Sequence, residues 1–140
     1  MIVIGVGNTW RRDDGAGPAV ARAAGGVYTD DPARLLDLWN GEPHVVVVDA
    51  CASGAPPGTI HRGDAGVLTH PASTHGFGVA EAIELARALG RAPARLDLYG
   101  IEGADFGHGE GLTPSVTEAV GELARSLRTA APSPSRPPPR

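Results

Sequence analysis

With 140 residues, 41% of them hydrophobic, and a formal net charge of −4, the chain is sized for one domain with a core of its own. All 12 basic residues are Arg, and the acidic balance offers no electrostatic pull toward nucleic acid, so the expected partner is a protein or a small molecule. The lone Cys51 excludes an internal disulfide and a cysteine-built zinc cage.

Met1-Ile2-Val3-Ile4 leads into glycines without a basic segment or a long apolar run. Neither a signal peptide nor a membrane span is expected, and the cytoplasm is the expected location. Ile2 to Val6 has the profile of a buried parallel strand. It opens into Gly5-Val6-Gly7-Asn8-Thr9-Trp10-Arg11-Arg12-Asp13-Asp14-Gly15-Ala16-Gly17-Pro18, the most informative stretch of the chain. Pro18 has no N–H to donate and belongs in a first helical turn, so a helix over 16–24 begins at Gly15 or later. Asp13 and Asp14 are thereby expected in the preceding loop, with their side chains free.

Val27-Tyr28-Thr29 reads as a short strand, and Asp31-Pro32 as the start of a small helix carrying Leu35, Leu36, Leu38 and Trp39. Four consecutive valines, 45–48, require a strand buried on both faces, delivering Asp49 at its end. Thr59 to Arg62 is expected at a sheet edge after the turn residues Pro56-Pro57-Gly58. Val79, Ala82, Ile83, Ala86 and Leu89 mark one helix face, 95–101 forms another strand, and Val116, Val120, Leu123 and Leu127 form the stripe of a last helix. That helix starts with Thr113 before Pro114 or with a Ser115/Glu118 capping box. The domain is placed at 1–129, with 130–140 a disordered tail rich in Pro, Ser and Arg. The alternation predicts an α/β three-layer sandwich, a twisted, mainly parallel sheet with helices on both faces, binding ligands beyond the carboxyl ends of its strands.

Asp14, Asp49 and His75 follow, or open into, such elements, and two carboxylates with an imidazole suit a divalent metal. Such an ion would polarise a scissile carbonyl and acidify water, or a released carboxylate would act as general base. Asp13 is expected to support that site or the helix start, and Asn8 to pin the glycine loop with its amide. His44, His61, His70 and His108 read as surface residues, His70 lying close enough to His75 in sequence to assist. Glu102 and Glu110 read as solvated or substrate-contacting acids of a glycine-rich loop, and Cys51 as a small buried residue.

Gly5-x-Gly7-Asn8, Asp13-Asp14-Gly15-x-Gly17, Val48-Asp49-Ala50, Ser73-Thr74-His75-Gly76, Tyr99-Gly100-Ile101-Glu102 and Gly111-Leu112-Thr113-Pro114-Ser115-Val116 occur in order. Together these blocks resemble the hydrogenase maturation proteases, across everything but the tail. The resemblance implies a phosphorylase/hydrolase-like fold and an endopeptidase that trims the C-terminal extension of the nickel-iron hydrogenase large-subunit precursor. It also implies that nickel comes with the substrate precursor rather than as a permanently bound cofactor. By the same resemblance Asp14, Asp49 and His75 recognise that nickel. The first-loop acid is often Glu in relatives, and Asp14 is one methylene shorter.

Three other functions fit parts of the sequence. A dinucleotide-binding domain is disfavoured because Trp10 takes the place of the third glycine and Asp13-Asp14 would face a phosphate. A peptidyl-tRNA hydrolase shares the Gly-x-Gly-Asn opening but calls for a basic surface. A non-catalytic binding module that chaperones a metalloprotein would need the same three residues and differs only in whether a peptide bond breaks.

Overall fold

A computed structural model describes residues 1–63 and 78–130 of the chain. Five strands form one sheet in the order β2-β1-β3-β5-β4: β1 (Ile2–Val6), β2 (Val27–Thr29), β3 (His44–Cys51), β4 (Ile60–Arg62) and β5 (Arg95–Glu102). β2, β1, β3 and β5 run parallel, and β4 closes one edge antiparallel to β5, the edge position expected for it. Among the described residues the α-helices are α1 (Ala16–Ala24), α2 (Leu35–Leu38), α3 (Val79–Ala88) and α4 (Pro114–Ala130). α4 runs to Ala130, one residue past the expected domain end, and the rest of the expected tail lies outside the described residues.

The valine run of β3 is continuous because it feeds two cores. Val46 and Val48 join Val3, Val20 and the α4 stripe Val116, Val120, Leu123 and Leu127 on one face. Val45 and Val47 join Ile4, Leu35, Leu36 and Ile83 on the other, under α2 and α3. A strand covered on both sides gains from apolar residues at every position, and the result is the expected three-layer sandwich. β3 outlasts its valines because Asp49, Ala50 and Cys51 still pair with Gly100, Ile101 and Glu102.

Gly17 lets α1 begin against the sheet. A Cβ there would lie 2.3 Å from the Val48 carbonyl oxygen and 2.6 Å from that of Val6. These neighbours are backbone and cannot swing away, so Gly17→Ala is expected to destabilise the fold by about 2–3 kcal/mol. An unchanged urea midpoint for that variant would show that the helix can lift without cost.

The strand order also creates the site. From β1 the chain runs through α1 to β2 on one side, then crosses to β3 on the other. The segments following β1 and β3 diverge, leaving a crevice at the carboxyl ends of these two strands, the usual binding position in an open α/β sheet.

Candidate active site

Asp14 and Asp49 stand at that crevice, one from each side. Asp49 lies on β3, and Asp14 in a 3-10 turn, Arg12–Gly15, that follows β1. The turn folds back tightly on the loop before it. Gly7 has φ +152°, and a Cβ there would sit 1.9 Å from the Asp14 carbonyl oxygen, so a side chain at 7 would push the turn outward. The Asn8 N–H donates to Asp14 Oδ2 at 2.8 Å, and Asn8 Oδ1 accepts from the Trp10 N–H at 2.9 Å. Asn8 thus pins the loop with its side-chain amide, as the sequence suggested, and also orients the Asp14 carboxylate.

Asp49 is 8% exposed, and its carboxylate accepts a hydrogen bond from the Ala50 N–H at 2.8 Å. Burial first, and the charge of Asp14 second, push its pKa well above the ordinary carboxylate range, against that hydrogen bond. The two acids are therefore close enough to repel. A divalent cation held by both would turn that repulsion into attraction. The third expected member, His75, lies outside the described residues, as does His70.

Asp13 departs from the expected free side chain, though not from the supporting role expected of it. It is not a free loop side chain beside Asp14 but is fully buried. Its carboxylate accepts from the N–H groups of Ala104, Asp105 and Thr113 and from the Thr113 hydroxyl. Burial opposes its ionisation, yet these four bonds prevail and hold its pKa below the usual value. The Thr113 hydroxyl is thereby used on Asp13, while the Thr113 carbonyl accepts the Thr117 N–H as α4 opens at Pro114. Asp13 so anchors a turn in which Arg12 takes φ +46°, a costly backbone state for a residue with a Cβ.

Glu102 is likewise not a solvated loop acid. It ends β5, is 1% exposed, and binds His61 Nε2 at 2.9 Å and the Ser53 N–H. His61 on β4 is correspondingly no plain surface residue, nor is His44, whose Nε2 lies 2.8 Å from Asp97 Oδ2. Glycines flanking Glu102 suggested a loop; the continued alternation from Leu96 and Leu98 would have placed it inward. Glu110 and His108 are exposed as expected. Cys51 is buried as expected, and burial, reinforced by Glu102, raises its thiol to about 12, which removes it as a nucleophile.

No helix among the described residues is long and apolar enough to cross a membrane. Comparison with known proteins agrees with this architecture. E. coli hydrogenase maturating endopeptidase HybD superposes with a TM-score of 0.73 at 26% identity, covering 92% of each chain. The coenzyme F420 hydrogenase subunit delta of Methanothermobacter thermautotrophicus is 27% identical over 145 residues, covering 86% of this chain and 87% of that protein. The hydrogenase expression/formation protein HupD of Thiocapsa roseopersicina is 28% identical over 156 residues, covering 89% and 68%. Residues 29–129 match the family described as hydrogenase maturation protease, so the chain belongs to that family.

Proposed function

We propose that this endopeptidase removes the C-terminal extension of a nickel-iron hydrogenase large-subunit precursor already loaded with nickel, and that Asp14, Asp49 and His75 recognise the metal. The observation that carries the proposal is the convergence of Asp14 and Asp49 at the crevice between β1 and β3, where the charge of one acts on the other. His75 is three residues before Gly78, the N-cap of α3, and Val79 packs in the same core cluster as Val6 and Val47. His75 enters by the family resemblance, its own position lying outside the described residues. The nickel arrives as part of the substrate and supplies Lewis acidity next to the bond to be cut. The protein contributes the carboxylates of Asp14 and Asp49 and, on this reading, the imidazole of His75, so only a precursor that carries the ion gains their attraction.

A cleft beside the first loop supports peptide docking. It is lined by Asn8, Thr9, Trp10, Tyr28, Asp30 and Arg34, with Trp10 65% and Tyr28 47% exposed. Exposed aromatic rings beside a polar cleft are the usual anchors for a bound chain.

The test incubates the protein with precursor in nickel-loaded and nickel-free forms and weighs the products. A shortened large subunit and a released C-terminal peptide are expected from the loaded form alone. Equal cleavage of both forms would overturn metal recognition. Nickel-dependent binding without cleavage would overturn hydrolysis and leave a chaperone-like module.

A further inference from the structure

The carboxyl ends of β3 and β5, with the edge strand β4 beside them, gather three side chains that the proposed cleavage does not use. Cys51 ends β3 and pairs in register with Glu102, which ends β5, while His61 lies on the antiparallel edge strand β4. One donor atom from each falls in a group whose members are all within 4.8 Å of one another. Glu102 Oε1 is central, 2.9 Å from His61 Nε2 and 3.6 Å from Cys51 Sγ. Cys51 and Glu102 are 0% and 1% exposed, whereas about a quarter of the His61 side chain meets solvent, so the cluster has one open side.

We infer that Cys51, His61 and Glu102 form a second cation site, suited to a borderline divalent ion of the zinc type and distinct from the crevice between Asp14 and Asp49. Sulfur, imidazole nitrogen and carboxylate oxygen together select zinc-like ions over magnesium or calcium, which take oxygen ligands. Three protein donors and one open direction match sites that keep a position for water or another ligand. On binding, the Cys51 thiol releases its proton to solvent and its sulfur lone pair goes to the ion. His61, whose Nε2–H faces Glu102 Oε1 in the free protein, passes to its Nδ1–H tautomer by proton exchange with solvent and gives the Nε2 lone pair, and Glu102 binds as the carboxylate it already is. The 2+ charge then meets two anionic ligands. Ser53 holds Glu102 from behind, its N–H 3.0 and 3.1 Å from the two carboxylate oxygens and its hydroxyl on Oε1. Such an outer hydrogen bond orients a ligating carboxylate.

The two sites are neighbours but not one centre. Asp49 and Cys51 are two residues apart on one strand, about 6.6 Å along it, and ions that share ligands sit about 3.5–4 Å apart. The inference therefore stands whether or not Asp14 and Asp49 hold nickel.

Titrating the whole protein with Co2+, followed by competition with Zn2+, tests it. One equivalent of Co2+ is expected to produce a near-ultraviolet thiolate-to-cobalt charge-transfer band that Zn2+ abolishes. Cys51→Ala should eliminate the band, and His61→Ala, at a partly exposed edge position, should weaken affinity at least about tenfold. Asp14→Asn should keep the band, which separates this site from the proposed nickel site. Circular dichroism of each variant guards against reading misfolding as lost binding. Cobalt bound without a thiolate band, or with unchanged affinity in folded His61→Ala, would overturn the assignment.

Discussion

Asp49→Asn is expected to abolish precursor cleavage while leaving the protein more resistant to unfolding at neutral pH. The Asp49 carboxyl is buried, and burial and the adjacent Asp14 both oppose its ionisation. Its folded pKa therefore lies above its unfolded value, so the folded state holds a proton that the unfolded state releases. Stability consequently falls as pH rises from the ordinary carboxylate range through the folded pKa, and the deficit persists above it. An Asn of the same shape removes both the desolvated charge and the repulsion. It also removes a ligand for the cation, or a proton acceptor for water, either of which is worth roughly a hundredfold or more in rate. Thermal unfolding at two pH values and a cleavage assay on nickel-loaded precursor check the two halves. Wild type and variant should converge in stability as pH is lowered toward the carboxylate range. A variant that melts below wild type at neutral pH, or cuts at the wild-type rate, would show that Asp49 is an ordinary structural acid.

This trade between stability and function explains which parts of the site were legible in the sequence. Asp49 declared itself because four valines do not lead into a buried acid without a reason, and Asn8 and Asp14 because their loop is built from local turn chemistry. β1, β3 and the stripes of α3 and α4 were equally legible, since a continuous apolar run and a 3.6-residue period report burial from neighbours in sequence. The partners of Asp13 are 91 to 100 residues away, and His61 meets Glu102 across 41 residues. Local pattern carries no record of such pairings. Both adjacent aspartates read as loop residues with free side chains, yet the fold separates them, one toward the crevice and one into a pocket of N–H donors. Glu102 was misassigned for another reason: the glycines around it report a turn, while its inward direction continues the alternation of Leu96 and Leu98, a signal confirmed by the strand's pairing through Glu102.

Asp13→Ala should be the most damaging single change to the fold. Its carboxylate ties the turn after β1 to the 104–113 segment, accepting at 2.8 Å from Ala104, 3.0 Å from Asp105, and 2.8 Å from both the N–H and the hydroxyl of Thr113. Truncation leaves those part-buried donors without their acceptor, and four hydrogen bonds to one charged group, partly replaced by water, are together worth about 3–5 kcal/mol. Asp13→Asn keeps the shape but turns an NH2 group toward N–H donors, so it should recover only part of the loss. The pH dependence runs opposite to that of Asp49. A folded pKa held below the unfolded value gives stability that is complete above the ordinary aspartate range and disappears as pH falls through the folded pKa. The gap between wild type and Asp13→Ala should therefore be widest at neutral pH and narrow in acid. Activity should fall with stability, because the same anchor holds the turn in which Arg12 is strained and Asp14 is aimed at the crevice. Urea unfolding at pH 7 and at pH 3 measures both effects. A neutral-pH loss under about 1 kcal/mol, no more than one ordinary hydrogen bond, would mean that water or a shifted backbone satisfies the donors and that Asp13 is not the anchor of the site.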